Sequence, residues 1–484
     1  MRAHFVGVCG TGMGSLATLF REAGHDVTGS DARFDPPMGD VLLAAGVRCL
    51  RGFDAAHLDP APDLVVVGNA IRKDNVEAAR AAERGLTSVS MSQALREQFL
   101  AKRKPLVVCG THGKTTTSSM CAWILVRAEM NPGYFIGGVS KSLPKSAAIG
   151  STQKSLSSPR ALPFVVEGDE YDAVYWNKQP KFFDYVGVGE DDVVVLTGVE
   201  HDHIDIYPTA ASYEAAFEAL ALRVPPGGLL VCDAKDEATR AIAKKARCRV
   251  VFTALEGDDT EDATPTWLAA PATIDERGMQ LFDLFAGGVS AGRFAMQVPG
   301  RHNVRNALAA IAACAEGFGV SLGMTRTALA SFEGVRRRQD LLGTPAGIRV
   351  YDDFAHHPTA VRETLSALRA KHEGGALWAV FEPRSATACR ALHQEAYARA
   401  FDAATHVILA PLGRSNVPEA ERLDLARLAR DLGAKAEAAP SAEAILLRLQ
   451  AEAKAGDTVA LLSNGAFDGL PARLLQALEA SQGT

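Results

Sequence analysis

The strongest chemical signal in the chain is a glycine turn, Gly110-Thr111-His112-Gly113-Lys114-Thr115-Thr116, which follows the apolar run 105–109 and leads into a helical pattern. A turn of this kind between a strand and a helix aims successive backbone N–H groups at phosphate oxygens. Lys114 then sets a cation against a transferred phosphoryl group, and the Thr115 hydroxyl can ligate Mg2+. A full Walker loop would carry glycine at position 108, where this chain has Val108, so only the Gly-Lys-Thr end matches. An exposed lysine after a flexible turn is the plainer alternative. Two acidic clusters end later apolar runs: Glu167, Asp169 and Glu170 after 164–166, and Glu200, Asp202 and His203 after 193–197. Carboxylates at the carboxyl ends of parallel strands face the ligand crevice. Hard oxygen ligands beside a phosphate loop favour Mg2+ over zinc.

A second glycine turn opens the chain, with Gly10, Thr11, Gly12 and Met13 between a strand pattern and a helical one, and Ser30 and Asp31 downstream. Glycines there let a helix N-terminus meet a diphosphate, and an acid meet a ribose. Cys9 occupies the place of the second glycine of a dinucleotide fingerprint. The turn alone leaves three readings open: a dinucleotide site of an oxidoreductase, a site for another nucleotide, and a structural tight turn.

The elements that must position these residues divide into three α/β units. A length of 484 residues corresponds to about three domains at roughly 150 residues each. Apolar runs at 4–9, 105–109 and 348–351 each start a strand-helix series. The expected boundaries are 1–104, 105–336 and 337–484, with the basic stretch before Pro105 and the arginines at 336–338 marking the joins. Segments 140–162 and 255–275, rich in Ser, Pro, Ala, Asp and Thr, are expected to be surface loops or small insertions rather than core. The net charge of −6 and the lack of long basic blocks argue against nucleic acid or membrane partners, leaving small-molecule work. Eight scattered cysteines without a C-x-x-C pair read as reduced thiols, and no secretion signal is visible, so a cytoplasmic protein is expected. A monomer is slightly favoured.

Taken together, the motifs resemble the Mur ligase family of ATP-dependent amide ligases. The 110–116 loop is similar to that family's shortened phosphate loop, and Gly300-Arg301-His302-Asn303-Val304-Arg305-Asn306 to its adenine-side segment. The resemblance implies a Rossmann-like first domain, a central P-loop-type ATP-binding domain and a Rossmann-like third domain. It implies ATP and Mg2+, with Thr115 and Glu167 as ligands of one metal, His203 at a second metal site, and Lys114, Arg338 and Asp353 as catalytic groups; Asp353 is expected to pair with a lysine or accept from the incoming amine. Gly10, Thr11, Gly12, Met13, Ser30 and Asp31 would bind UDP-N-acetylmuramate. Within the family, Asp352-Asp353-Phe354-Ala355-His356-His357-Pro358 is similar to the branch that takes this sugar nucleotide itself. Phe381-Glu382-Pro383-Arg384-Ser385 and Ser463-Asn464-Gly465-Ala466-Phe467 resemble the member that attaches the tripeptide L-Ala-γ-D-Glu-meso-diaminopimelate. Arg384 and Ser385 are therefore weaker candidates for holding the peptide. The member that adds L-alanine is the alternative, followed by the oxidoreductase and by a nucleotide-binding regulator without chemistry. Gly198 stands where the tripeptide member usually has Asn, and no lysine lies between His203 and Lys235, where later-acting members place a carbamylated one.

Overall fold

Continuous runs of β-branched residues, rather than alternating ones, mark strands buried on both faces. Such runs form the centre of each of three sheets in the computed structural model, which describes residues 1–151 and 162–480. The first sheet has five parallel strands in the spatial order Arg48–Arg51, Asp26–Asp31, Arg2–Val6, Leu64–Val67 and Ser88–Ser90. Chain order reverses beside Arg2–Val6, which opens a crevice at that strand's carboxyl end. The first glycine turn lies there, leading into the helix Thr11–Glu22.

The second sheet has ten strands, with Lys104–Cys109 between Val193–Leu196 and Pro163–Glu167, all three parallel. Both acidic clusters therefore emerge beside the end of the strand that feeds the phosphate loop. The helix Lys114–Arg127 packs on the Ala-rich helix Arg301–Phe318 over one face of this sheet, where small side chains permit close approach. The third sheet has six strands, in the order Asp340–Gly343, Arg349–Asp353, Thr458–Leu462, Leu377–Phe381, His406–Leu409 and Ala436–Ala438. A small ribbon, Asp172–Val174 with Asn177–Pro180, leaves the second sheet, and Val174 is buried among Val6, Val65 and Val67 of the first.

One loop expectation fails. Within 255–275 the strand Trp267–Ile274 pairs parallel to Arg249–Leu255 and antiparallel to Gln280–Ala286, so the surface loop shrinks to the stretch before Trp267. Burial of Trp267 and Ala269 on one face outweighs the polar composition around them. In 140–162, Ala147–Ala148 pairs with Gly133–Phe135, and residues 152–161 lie outside the described residues. None of the eight cysteines is in a disulfide. Among the described residues no helix is long and apolar enough to cross a membrane.

Candidate active site

The phosphate loop owes its shape to two glycines in conformations that other residues rarely adopt: Gly110 has φ +123° and Gly113 has φ +79°. A Cβ on Gly113 would stand 2.3 Å from Asn306 Oδ1, and one on Gly110 2.4 Å from Thr197 Oγ1. Thr197 donates its hydroxyl to the carbonyl of His112 (2.6 Å), and the Gly198 carbonyl accepts the Thr111 N–H (2.9 Å). Lys114 Nζ bonds back to the Gly110 carbonyl (2.7 Å) and lies 3.0 and 2.9 Å from the two carboxylate oxygens of Glu170. Burial alone would raise the Glu170 carboxyl, but Lys114 and His203 overcome it and hold it down at about 2. Burial likewise pulls Lys114 down, and Glu170 more than restores it, so the lysine stays charged.

Thr115 Oγ1 donates to Glu167 Oε1 (2.8 Å), whose other oxygen accepts the Gly137 N–H (2.7 Å). Thr116 is buried in the first turn of the helix. His203 has φ +53°. Its Nε2 lies 2.7 Å from Glu170 Oε1 and its Nδ1 2.9 Å from the Tyr171 hydroxyl, so both nitrogens are engaged with protein groups. Burial would lower the His203 imidazole, but Glu170 and Asp202 raise it above its ordinary value. In the sequence Glu170 is only one acid of the cluster after 164–166, and nothing there predicts its pairing with Lys114. In the segment expected on the adenine side, Asn303 Nδ2 donates to the Pro299 carbonyl (2.7 Å), Asn306 Nδ2 to Asn303 Oδ1 (3.3 Å), and His302 Nε2 lies 3.1 Å from the Gln339 amide.

At the entrance to the third domain the Arg338 guanidinium lies over the Phe354 ring, 4.9 Å from its centroid. Among the described residues no lysine pairs with Asp353, which was the first of its two expected roles. Its oxygens accept the backbone N–H groups of Gln339 and Ala355, both at 2.7 Å, which leaves it as a brace for the Arg338 loop. Arg337, not singled out in the sequence, staples that loop: with φ +60° it reaches the carbonyls of Ser463 and Gly465 (2.7 Å each) and Asp352 (3.1 Å). Arg384 lies against Gly413 and Gly465 with Nη1 3.3 Å from Glu382, while Ser385 Oγ accepts the Ala388 N–H and so ties its own turn.

In the first domain, Asp31 Oδ2 accepts the Cys9 N–H (2.9 Å), fixing the glycine turn where Gly10 caps the helix and Met13 is buried beneath it. Thr11 starts that helix, and a Cβ on Gly12 would stand 2.7 Å from Met91 Sδ. Ser30 departs from its expected ligand-facing role. It is fully buried, its hydroxyl donates to Glu77, and its carbonyl accepts the N–H groups of Gly7 and Val8.

Three family models cover this arrangement in order: "Mur ligase family, catalytic domain" over residues 2–103, "Mur ligase middle domain" over 108–314, and "Mur ligase, glutamate ligase domain" over 337–465. The chain belongs to the Mur ligase family. It is an ATP-dependent ligase that forms amide bonds. This ligase is 35% identical over 482 residues to the UDP-N-acetylmuramate--L-alanyl-gamma-D-glutamyl-meso-2,6-diaminoheptandioate ligase of Escherichia coli, covering 99% of this chain and 98% of the relative. It is also 38% identical over 416 residues to the UDP-N-acetylmuramate--L-alanine ligase of Kineococcus radiotolerans, covering 84% of this chain and 81% of the relative. The crystal structure of a murein peptide ligase from Psychrobacter arcticus superposes with a TM-score of 0.71 at 34% identity, covering 99% of both chains.

Proposed function

We propose that this ligase joins UDP-N-acetylmuramate to L-alanyl-γ-D-glutamyl-meso-diaminopimelate at the expense of ATP. The observation that carries the reading is the buried Lys114 ammonium, held by the Gly110 carbonyl and Glu170 inside a loop of backbone amides, with Thr115 and Glu167 alongside. The tripeptide as acceptor is supported by the similarity to relatives named for it, 35% and 33% identical over 99% and 98% of this chain, and by the segments 381–385 and 463–467; relatives named for L-alanine also match over the full length, at 33% identity over 99% of this chain, so the acceptor assay decides.

The lactyl carboxylate oxygen attacks the γ-phosphorus, the bond to the bridging oxygen breaks, and ADP leaves. The peptide amine nitrogen then attacks the acyl carbon, phosphate leaves, and the nitrogen loses a proton. Carboxylate and nucleotide are both anions, so positive charge must offset their repulsion as they approach. Lys114 supplies part of it. Arg338 supplies more, from a loop that Asp353 positions through the Gln339 amide. Thr115 and Glu167 offer two hard oxygens 2.8 Å apart, a donor pair that fits Mg2+. Mg2+ supplies neutralisation of the phosphate oxygens. Gly110, Thr111, His112, Gly113 and Thr116 cradle the phosphates, and His302, Asn303 and Asn306 close the adenine side.

The first domain, 1–104, takes the sugar nucleotide at the turn 10–13 beside Asp31; 105–336 takes ATP; 337–484 takes the peptide, with Arg384 near its carboxylates. The substrates place the reaction in the cytoplasm. Purified protein with ATP, Mg2+ and UDP-N-acetylmuramate is offered tripeptide and L-alanine in separate reactions. Phosphate release matched by amide product with the tripeptide is expected. Preference for L-alanine overturns the acceptor, and no phosphate release with either overturns the ligase chemistry at this site.

A further inference from the structure

A second cluster joins the phosphate loop to the third domain, and the reaction above uses none of its side chains beyond the place of His112 in the phosphate loop. His112 Nε2 lies 2.7 Å from Glu200 Oε2, and His357 Nδ1 approaches the same oxygen at 3.6 Å, too far for a hydrogen bond. One ligand atom from each of the three residues falls within 4.8 Å of the others. His357 is only 3% exposed, yet its Nε2 has no hydrogen-bond partner. Its Nδ1 meets the Thr359 N–H at 3.4 Å, beyond the usual range, so that lone pair is weakly engaged. Burial, reinforced by His112, keeps this imidazole neutral, the form that ligates metals.

Two imidazoles and one carboxylate form the donor set of a three-ligand zinc site with an open fourth position. Mg2+ prefers oxygen ligands and is poorly served by it. Bond lengths of about 2.0–2.2 Å place the ligands of one tetrahedral ion roughly 3.4 Å apart. Two of the three separations, 2.7 and 3.6 Å, bracket that spacing, and the third, between the two imidazoles, lies within 4.8 Å, so the side chains need to shift by no more than about 1.5 Å. Glu200 is already oriented from outside the cluster: Thr359 Oγ1 donates to its other oxygen (2.9 Å), and its backbone N–H is held by Thr111 Oγ1 (2.9 Å).

We propose that His112, Glu200 and His357 form a site for a borderline divalent cation of the Zn2+ class, separate from the oxygen pair Thr115 and Glu167. Two ligands belong to the middle domain and the third to the last domain, so an ion here ties the two together.

The test uses the full chain stripped with a chelator and kept in excess Mg2+, so that oxygen sites are filled. Co2+ is titrated while visible absorption is followed, and Zn2+ binding is measured by calorimetry. One Co2+ per chain with tetrahedral bands, displaced by Zn2+, is expected. His357→Ala and, separately, His112→Gln should each remove the bands and weaken Zn2+ at least tenfold, while the distant His372→Ala changes neither. Because His112 is on a partly exposed loop, its variant keeps the test decisive if His357→Ala fails to fold. Failure of the folded wild-type protein to bind Co2+ overturns the proposal, as does unchanged binding in either folded variant.

Discussion

Lys114 and Glu170 set each other's charge, and this changes what a lysine deletion measures. The Lys114 side chain is 15% exposed and the Glu170 side chain 1%, so removing the cation leaves a buried carboxylate without its main partner. Breaking a buried pair from one side costs about 3–5 kcal/mol, whereas removing both charges is far milder. Lys114→Met should therefore lose both turnover and thermal stability. Adding Glu170→Gln should recover most of the stability and none of the turnover, as read by thermal unfolding and phosphate release. Recovery of activity in the double variant would mean that the ammonium does not act on the phosphate. Glu170 was not legible as its partner in the sequence, because Glu167, Asp169 and Glu170 sit within four residues and apolar patterning does not say which acid turns toward the loop. Geometry separates them: Glu167 goes to Thr115, Asp169 to Lys181 and Glu170 to Lys114. Arg337 and Arg338 posed the same problem, since in a run of three arginines only the fold shows which one the Ser463 and Gly465 carbonyls hold.

At the scale of elements, the parallel strands were readable because burial on both faces demands unbroken apolar runs, as in Val193–Leu196. The meander Trp267–Ile274, Gln280–Ala286 and Val289–Met296 was not. Its outer face is half exposed, its strands carry Pro271 and Gly292, and alternation is diluted by alanine. The contact between the helices Lys114–Arg127 and Arg301–Phe318 was equally hidden, although both ends carried recognisable motifs. It yields a sharp expectation at Gly113. A methyl there meets Asn306 Oδ1 at 2.3 Å and forces a side chain onto φ +79°. Holding a non-glycine residue in the left-handed region costs about 1–2 kcal/mol before the clash is counted. Gly113→Ala should lower the melting temperature and cut turnover at least a hundredfold, because the loop amides shift together with the helix start. Gly113→Ala combined with Asn306→Ala relieves the clash but not the backbone strain, so only part of the stability should return. Full recovery would show that the left-handed conformation contributes nothing.

The whole molecule is held at its middle and last domains by groups that titrate. Thr359 donates to Glu200 across the junction, His356 lies 3.9 Å from Asp202, and His302 lies 3.7 Å from Glu363. Burial above all, then His112, pushes His357 down to about 3, with Glu200, Asp202 and His393 also acting on it. An unfolded histidine takes its proton near pH ~6.5. Between that value and about 3 the unfolded chain thus binds one more proton than the folded one, and stability falls as pH drops, by about 1.4 kcal/mol per pH unit for one such group. Glu200 and Glu170 are both held at about 2, their charge partners overcoming burial. Their stabilising effect is present above the unfolded carboxyl value near ~4.3 and is lost as pH falls from there toward 2. His203 runs the other way: its raised value gives stability that is complete below ~6.5 and lost as pH climbs through the folded value. The melting temperature should accordingly decline gently below pH ~6.5 and steeply below ~4.3. His357→Asn keeps a cap for the helix Pro358–Lys371 and removes the titration, so its curve should be flatter than the wild-type curve from pH ~6.5 down to about 3 and parallel to it only below that. Identical slopes in the upper window would assign that decline to other histidines.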